Sequence, residues 1–306
     1  MLKINVYLDY VKKLTKMEKS RILILGASGM LGVRLCKFLR EKEIETLTQS
    51  RFEGYQLIFN PANKFELQKN IIEYKPDVII NLCAMTDVDK CEIYYDLALQ
   101  ANIGVAKALN EIFFETKKTP FIIHLSTDQV YSGAGYHKEN LPNPINNYSK
   151  TKLLAEQFII NANGIVLRTN FVGHSKHQFR LSLSDWVIKS LNNNQNINVF
   201  ENVYFTPLHQ NTLCQLIEKI LSHRVPGIFN AGCIDGGSKA DFAFAIAKKL
   251  KLPYTLMRKS NFIAKTGEAI RPTDMRMNSQ RICDALKWNA PTLADEIELI
   301  EKEIYA

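Results

Sequence analysis

The sequence predicts an α/β protein: a doubly wound parallel sheet with helices on both faces, followed by a smaller C-terminal α/β unit. Three observations predict it. Short apolar runs alternate with helical patterns from Arg21 to Thr169, a rhythm that argues for parallel strands covered on both sides. A glycine-rich turn, Gly26-Ala-Ser-Gly-Met-Leu-Gly32, stands directly between the first apolar run and the first helix. After Phe171 the rhythm loosens, so a second unit of different construction follows.

Each element has its own reason. RILIL has the length and composition of a buried strand, and LGVRLCKFLREKE repeats its apolar residues at helical spacing. IETLTQS reads as a second strand. FELQKNIIEYK is a helix stopped before Pro76, and DVIINLCA is a third strand. A helical pattern runs from about Tyr94 to Phe114. TPFIIHLST is a fourth strand, YSKTKLLAEQFII a helix and GIVLRT a further strand. Right-handed crossovers then wind the sheet in both directions. In the second half LSLSDWVIKSL, TLCQLIEKILSH, KADFAFAIAKKLKL and ADEIELIEKEIYA read as helices, and GIFNAG as a strand. LNNNQNINVF is a loop running into a strand, and IRPTDMRMNSQRICDAL a loop entering a helix. The expected division is an extension without order of its own over 1–19, a nucleotide-binding domain over 20–172, and 173–306 as mainly a substrate-binding domain. Some segments of that last part are expected to return to the first core.

Composition narrows the function classes. A chain of 306 residues buries a sizeable core without disulfides. With 46% apolar and 23% charged residues it is neither disordered nor fibrous. No apolar run approaches the ~20 residues that span a bilayer. The start MLKINVYLDYVKKL is broken by Asp9, Lys12 and Lys13 and does not read as a signal peptide. A cytoplasmic protein with no membrane partner is expected. The net charge is +8, and +3 of it lies in residues 1–20. Without arginines clustered among aromatics, the remainder speaks for anionic small ligands and against nucleic acid. The six cysteines (36, 83, 91, 214, 233 and 283) form no C-x-x-C pair, so buried thiols and no metal site are expected. His174 and His177, three apart in a polar stretch, read as loop histidines.

Three motifs carry chemistry. In the glycine turn, Gly26 permits the tight bend, Gly29 lets backbone approach a pyrophosphate, and Gly32 lets helix pack on strand. Ser28, Met30 and Leu31 complete that loop at a helix N-terminus that attracts phosphate. At the end of the second strand an NAD site usually carries Asp or Glu for the ribose 2′-hydroxyl. Here Ser50-Arg51 stand instead, and a guanidinium suits a 2′-phosphate, so NADP(H) is preferred and NAD(H) is the alternative. The third motif is Tyr148-Ser-Lys-Thr-Lys152, which puts a phenol and an ammonium on one helical face. The ammonium stabilises phenolate, so the Tyr can hand a proton to a carbonyl oxygen. Upstream, Ser126-Thr127-Asp128 ends a strand at the ligand crevice, where Thr127 can hold the reacting oxygen.

The chain resembles the extended short-chain dehydrogenase/reductases, and more closely the dTDP-4-dehydrorhamnose reductase family. The resemblance covers nearly everything from Arg21 onward. It rests on GASGMLG, PDVIINLCAMTDVDKCE, HLSTDQVYSG, NNYSKTKLLAE, LRTNFVG and RPTDMRMNSQRI, in the family order. It implies a Rossmann domain, a catalytic set of Thr127, Tyr148 and Lys152, and Leu82, Cys83 and Ala84 lining the cofactor. It puts Asn60 where the family often has Asp near the adenine, and Asn102 where a family Asn is partly structural. It further implies Met85, Thr127, Phe171 and Arg271 on the substrate side, with Arg271 of the Arg-Pro motif able to pair with a diphosphate. The family usually has a small residue at Cys83, and often Trp-Val-Tyr where Phe171-Val172-Gly173 stand. The sugar or nucleobase pocket therefore differs.

The implied activity is NADPH-dependent reduction of a keto group on a nucleotide-linked deoxysugar for surface-polysaccharide synthesis. One alternative is a non-catalytic NADP-binding subunit resembling the partner of methionine adenosyltransferase. A lesser one is a sugar-nucleotide epimerase or dehydratase. Dehydratases carry Asp-Glu after the Thr, whereas this chain has Asp128-Gln129, and Gln cannot act as a base. A symmetric homodimer is the general prior for assembly.

Overall fold

The computed structural model describes residues 20–116, 119–175 and 181–305. The N-terminal extension and His177 lie outside the described residues. Seven parallel strands form the main sheet: β1 (Ile22–Leu25), β2 (Thr46–Ser50), β3 (Leu57–Ile58), β4 (Val78–Asn81), β5 (Phe121–Thr127), β6 (Gly164–Thr169) and β7 (Gly227–Ala231). Their spatial order is β7-β6-β5-β4-β1-β2-β3. The winding direction reverses between β1 and β4. In such sheets that reversal opens a crevice at the carboxyl ends of the strands.

The strands are apolar on both sides because both faces are covered. Helices α1 (Met30–Glu41), α7 (Gln210–His223) and α9 (Gln280–Leu286) bury Leu35, Leu213 and Ile282 against Ile22, Ile24 and Ile80. On the opposite face, α2 (Lys64–Tyr74), α4 (Tyr95–Thr116) and α5 (Asn147–Asn161) bury Leu67, Ile112 and Ile159 against Leu23, Ile79 and Ile122. The helical pattern expected from about Tyr94 is α4. A separate short helix, α3 (Val88–Ile93), precedes it, started by the Asp87 side chain and broken at Tyr94.

Residues after 172 build a second core. Helices α6 (Leu183–Asn192), α8 (Lys239–Lys249) and α10 (Leu293–Tyr305) enclose Val187, Leu191, Phe242, Ile246, Ile297 and Ile300. A parallel pair of short strands, Ile197–Phe200 with Met257–Ser260, completes it. Helices α6 and α8 begin with the same device. Ser182 and Ser238 accept from the backbone N–H three residues on, and Asp185 and Asp241 accept in return from the serine N–H. Part of this half returns to the first core, with β7 as the outermost sheet strand and α7 packed beside α1.

Candidate active site

The glycine turn sits at the carboxyl end of β1. Gly26 has φ of +81°, and a Cβ there would stand 3.0 Å from Cys83 Sγ. A Cβ on Gly32 would stand 2.5 Å from the Gly26 carbonyl oxygen, so α1 can approach β1 only without it. Gly29 begins α1 with no side-chain cap, and the first turn of α1 carries no acidic residue. Its N–H groups are therefore available to a phosphate, and the positive helix end favours one. Gln49 of β2 braces the turn: its Oε1 accepts from Gly26 N at 3.1 Å, and its Nε2 donates to the Phe59 carbonyl at 2.6 Å. Ser50 Oγ donates to Ser28 Oγ at 2.8 Å, which joins the end of β2 to the same turn. Arg51 is exposed beside them, and its charge is felt at Cys83. A small-residue cradle, bare N–H groups and a guanidinium where a carboxylate would serve NAD together fit a phosphorylated dinucleotide.

The loop after β4 forms the facing wall. Leu82, Cys83 and Ala84 are each partly buried there. Burial pushes the Cys83 thiol up to about 12, so it is a neutral wall group. Asn102 of α4 holds this loop to α5. Its Oδ1 accepts from Met85 N at 2.7 Å, and its Nδ2 donates to Thr151 Oγ1 at 2.9 Å. Asn60 Oδ1 accepts from Ala62 N at 3.2 Å in the turn after β3. Of the other two loop residues, Leu31 points into the core and Met30 is partly exposed.

Thr127 is the last residue of β5, and Tyr148 and Lys152 lie on the buried face of α5. Asn146 starts α5 with a capping box, which fixes the first turn that carries Tyr148. Tyr148 packs among Met85, Val88, Cys91, Ala98 and Ala269. Lys152 Nζ donates to the Leu125 carbonyl at 2.7 Å. Burial lowers its ammonium to about 8, against the opposing pull of Glu156. His124 lies on the same side of the sheet, buried and held far below its usual range by burial and by Lys152, so it is neutral. Thr127 Oγ1 accepts from Gln129 N at 3.2 Å and donates to Asp128 Oδ1 at 3.2 Å. Asp128 is 1% exposed, and burial raises its carboxyl to about 6, opposed by the Asn170 amide at 2.9 Å and by the charge of Lys239.

Beneath this set runs a fully buried polar chain. Ser126 Oγ donates to Glu156, Glu156 pairs with Arg168 at 2.6 Å, and Arg168 Nη1 donates to Tyr131 OH at 2.7 Å. Tyr131 in turn donates to Asn230 of β7 at 2.7 Å. It ties β5, α5, β6 and β7 together under the crevice.

The substrate side is less uniform. Phe171 is partly buried against the first core. Arg271 donates to Asp89 and lies over the Phe262 ring at 5.7 Å. A cavity of about 240 Å³ opens in the second unit, lined by Leu183, Trp186, Asn198, Val199, Phe200 and Lys239. Apolar walls with a few polar groups are what a small organic ligand needs. Among the described residues no group of three or more His, Cys, Asp or Glu is placed to hold a metal. No described helix is long and apolar enough to cross a membrane.

A family model described as the RmlD substrate binding domain matches residues 20–305. The chain belongs to this family. It is 27% identical over 245 residues to the spore coat polysaccharide biosynthesis protein SpsK of Bacillus subtilis, covering 78% of this chain and 82% of that one. It is 26% identical over 288 residues to methionine adenosyltransferase 2 subunit beta of Bos taurus, covering 89% and 84%. A solved structure of a hypothetical dTDP-4-dehydrorhamnose reductase from Sulfolobus tokodaii superposes with a TM-score of 0.78. It is 30% identical, and the match covers 89% of this chain and 97% of that one.

In this RmlD-family chain the residues that line the cavity of the second unit carry no motif in the sequence. Trp186, Phe200 and Lys239 stand on three separate segments and meet only in the fold. One signal was available: the Ser-x-x-Asp starts at Ser182 and Ser238 fix where α6 and α8 begin, and hence which residues face inward.

Proposed function

We propose that the protein is an NADPH-dependent reductase of a keto group on a nucleotide-linked deoxysugar, working in surface-polysaccharide synthesis. The observation that carries this is that Tyr148 packs against Met85 of the loop after β4 and Lys152 acts on Cys83 of the same loop, the cysteine that also faces Gly26 of the glycine turn. The residues assigned to the cofactor are Gly26, Ser28, Gly29, Met30, Leu31, Gly32, Ser50, Arg51, Asn60, Leu82, Cys83, Ala84, Asn102, Tyr148 and Lys152. Bound there, NADPH supplies a hydride to the keto carbon. Tyr148 donates its proton to the oxygen, Thr127 holds that oxygen, and Lys152 keeps a positive charge beside the phenol. Met85, Phe171 and Arg271 flank the substrate, and the cavity at Trp186 takes its distal part. Residues 20–172 serve as the cofactor domain and 173–306 chiefly as the substrate domain. The enzyme works in the cytoplasm, and light scattering tests for a symmetric homodimer.

NADPH consumption across a panel of nucleotide 4-ketosugars tests the reading. Turnover of at least one supports it, and inactivity on all of them overturns it. The similarity to methionine adenosyltransferase 2 subunit beta favours a second reading, a non-catalytic NADP-binding subunit. Co-purification with a methionine adenosyltransferase, together with inactivity on the panel, would establish that one. Epimerase or dehydratase chemistry ranks lower. The side chain at the dehydratase base position is the Gln129 amide, which accepts from Asn146 Nδ2 at 3.4 Å.

A further inference from the structure

Lys239 opens α8 and lines the cavity together with Trp186 and Phe200. Among the described residues its ammonium has no hydrogen bond and no ion pair at contact distance. Its charge nonetheless acts on Asp128. Asp128 is buried, and each of its oxygens is engaged: Oδ1 takes the Thr127 hydroxyl proton, and Oδ2 takes the Asn170 amide. The other charge near this pair is Arg271, which acts on Lys239 and is itself paired with Asp89.

A hydroxyl has one proton. While Asp128 is ionised it draws the Thr127 proton to itself, and Thr127 has none to offer a substrate oxygen. A cation without a contact partner on a cavity wall is a site for an anion. If that anion neutralises Lys239, Asp128 loses the charge that favours its ionised form and takes a proton from solvent. Thr127 is then free to donate to the reacting oxygen.

We propose that Lys239 binds the diphosphate of a nucleotide sugar, and that this contact is relayed through Asp128 to turn the Thr127 hydroxyl toward the substrate. The proposal rests on the reductase reading for the identity of the reacting oxygen. In it Lys239 is a substrate-binding residue, and Asp128 is a positioning residue acting through Thr127.

The test measures binding, so it is separable from turnover. UDP-glucose and dTDP-glucose, whose diphosphate diesters do not titrate near neutrality, are added to NADPH-loaded protein in a calorimeter. Buffers of different ionisation enthalpy report proton uptake. The wild type should bind at least one probe with net proton uptake between pH 6 and 7. Asp128→Asn should bind it without uptake. Lys239→Met should bind about tenfold or more weakly, with NADPH affinity kept, and Lys239→Arg should recover part of the loss. In turnover, Lys239→Met should raise KM with kcat retained. Wild-type kcat should fall as pH rises through the Asp128 pKa, and Asp128→Asn should flatten that limb. Failure of the wild type to bind either probe, equal uptake in Asp128→Asn, or unchanged affinity in Lys239→Met overturns the proposal. Inactivity on the ketosugar panel alongside the expected binding pattern would instead strike the reductase reading.

Discussion

Lys152 and Glu156 stand one turn apart on the buried face of α5, and the fold treats their charges differently. Lys152 meets a carbonyl and keeps a lowered affinity for its proton, whereas Glu156 is matched by a bidentate guanidinium. Replacing Arg168 by Met leaves a buried carboxylate without its cation. The expected loss is about 3–5 kcal/mol in urea unfolding, and adding Glu156→Gln should restore part of it. Tyr148→Phe should lower kcat/KM by about 10²–10⁴-fold while NADPH still binds, because only the proton donor is removed. Wild-type-like turnover in that variant would refute the assignment. Tyr148 and Lys152 were legible in the sequence because four-residue spacing on a helix is local information. Glu156 and Arg168 were not. Each reads as an ordinary charged residue until β6 is laid beside β5 and α5 is packed on top.

At the scale of the element, the glycines of one turn divide into two kinds. Gly32 answers to packing: a methyl there meets backbone oxygen at 2.5 Å. Gly32→Ala should therefore cost about 1–3 kcal/mol and lower the urea midpoint. Gly29 has room instead, since the nearest atom to an added Cβ is 3.4 Å away. Gly29→Ala should leave the urea midpoint near wild type yet weaken NADPH in a fluorescence titration. Equal stability losses in both variants would remove the distinction. The buried strands were legible because an all-apolar run bounded by turn residues has few other uses. Two-residue strands such as Phe171–Val172 and Leu208–His209 were not, because two residues carry no period and exist as strands only through their partner. Helix α3 was missed for a related reason. Six residues are too few to show a stripe, and its Asp87 cap was the one local sign.

For the whole molecule, the junction between the two units depends on α10. Glu296 is buried there, accepting from Thr212 Oγ1 at 2.9 Å and from the His209 N–H. Burial raises its carboxyl to about 7. The folded protein thus holds a proton that the unfolded chain releases above its ordinary value of 4.5. Unfolding between those values sheds a proton, so this group's stabilisation is present at low pH and lost as pH rises toward 7. Glu296→Gln should show a smaller drop in thermal midpoint from pH 5 to pH 8 than the wild type. Glu303 is depressed instead, so its own contribution changes only below 4.5, outside that window. The second core, in which Val172 is the first residue, follows the change of rhythm after Phe171. The cavity was not legible in the sequence, since its walls come from segments whose mutual placement only the tertiary fold decides.

The second core closes on Ile297 and Ile300. This sets an order of events on the ribosome. Once Ala231 has emerged, every strand of the parallel sheet has been delivered, and the glycine turn can take its dinucleotide. The residues that seal the other half arrive about 70 positions later, several seconds at about 5–20 residues per second. During that interval the nascent chain is half finished in a chemically meaningful way. It carries the glycine turn, Tyr148 and Lys152 before α10 has arrived to close the second core, so a ligand held by that turn would meet a chain whose other half is still open.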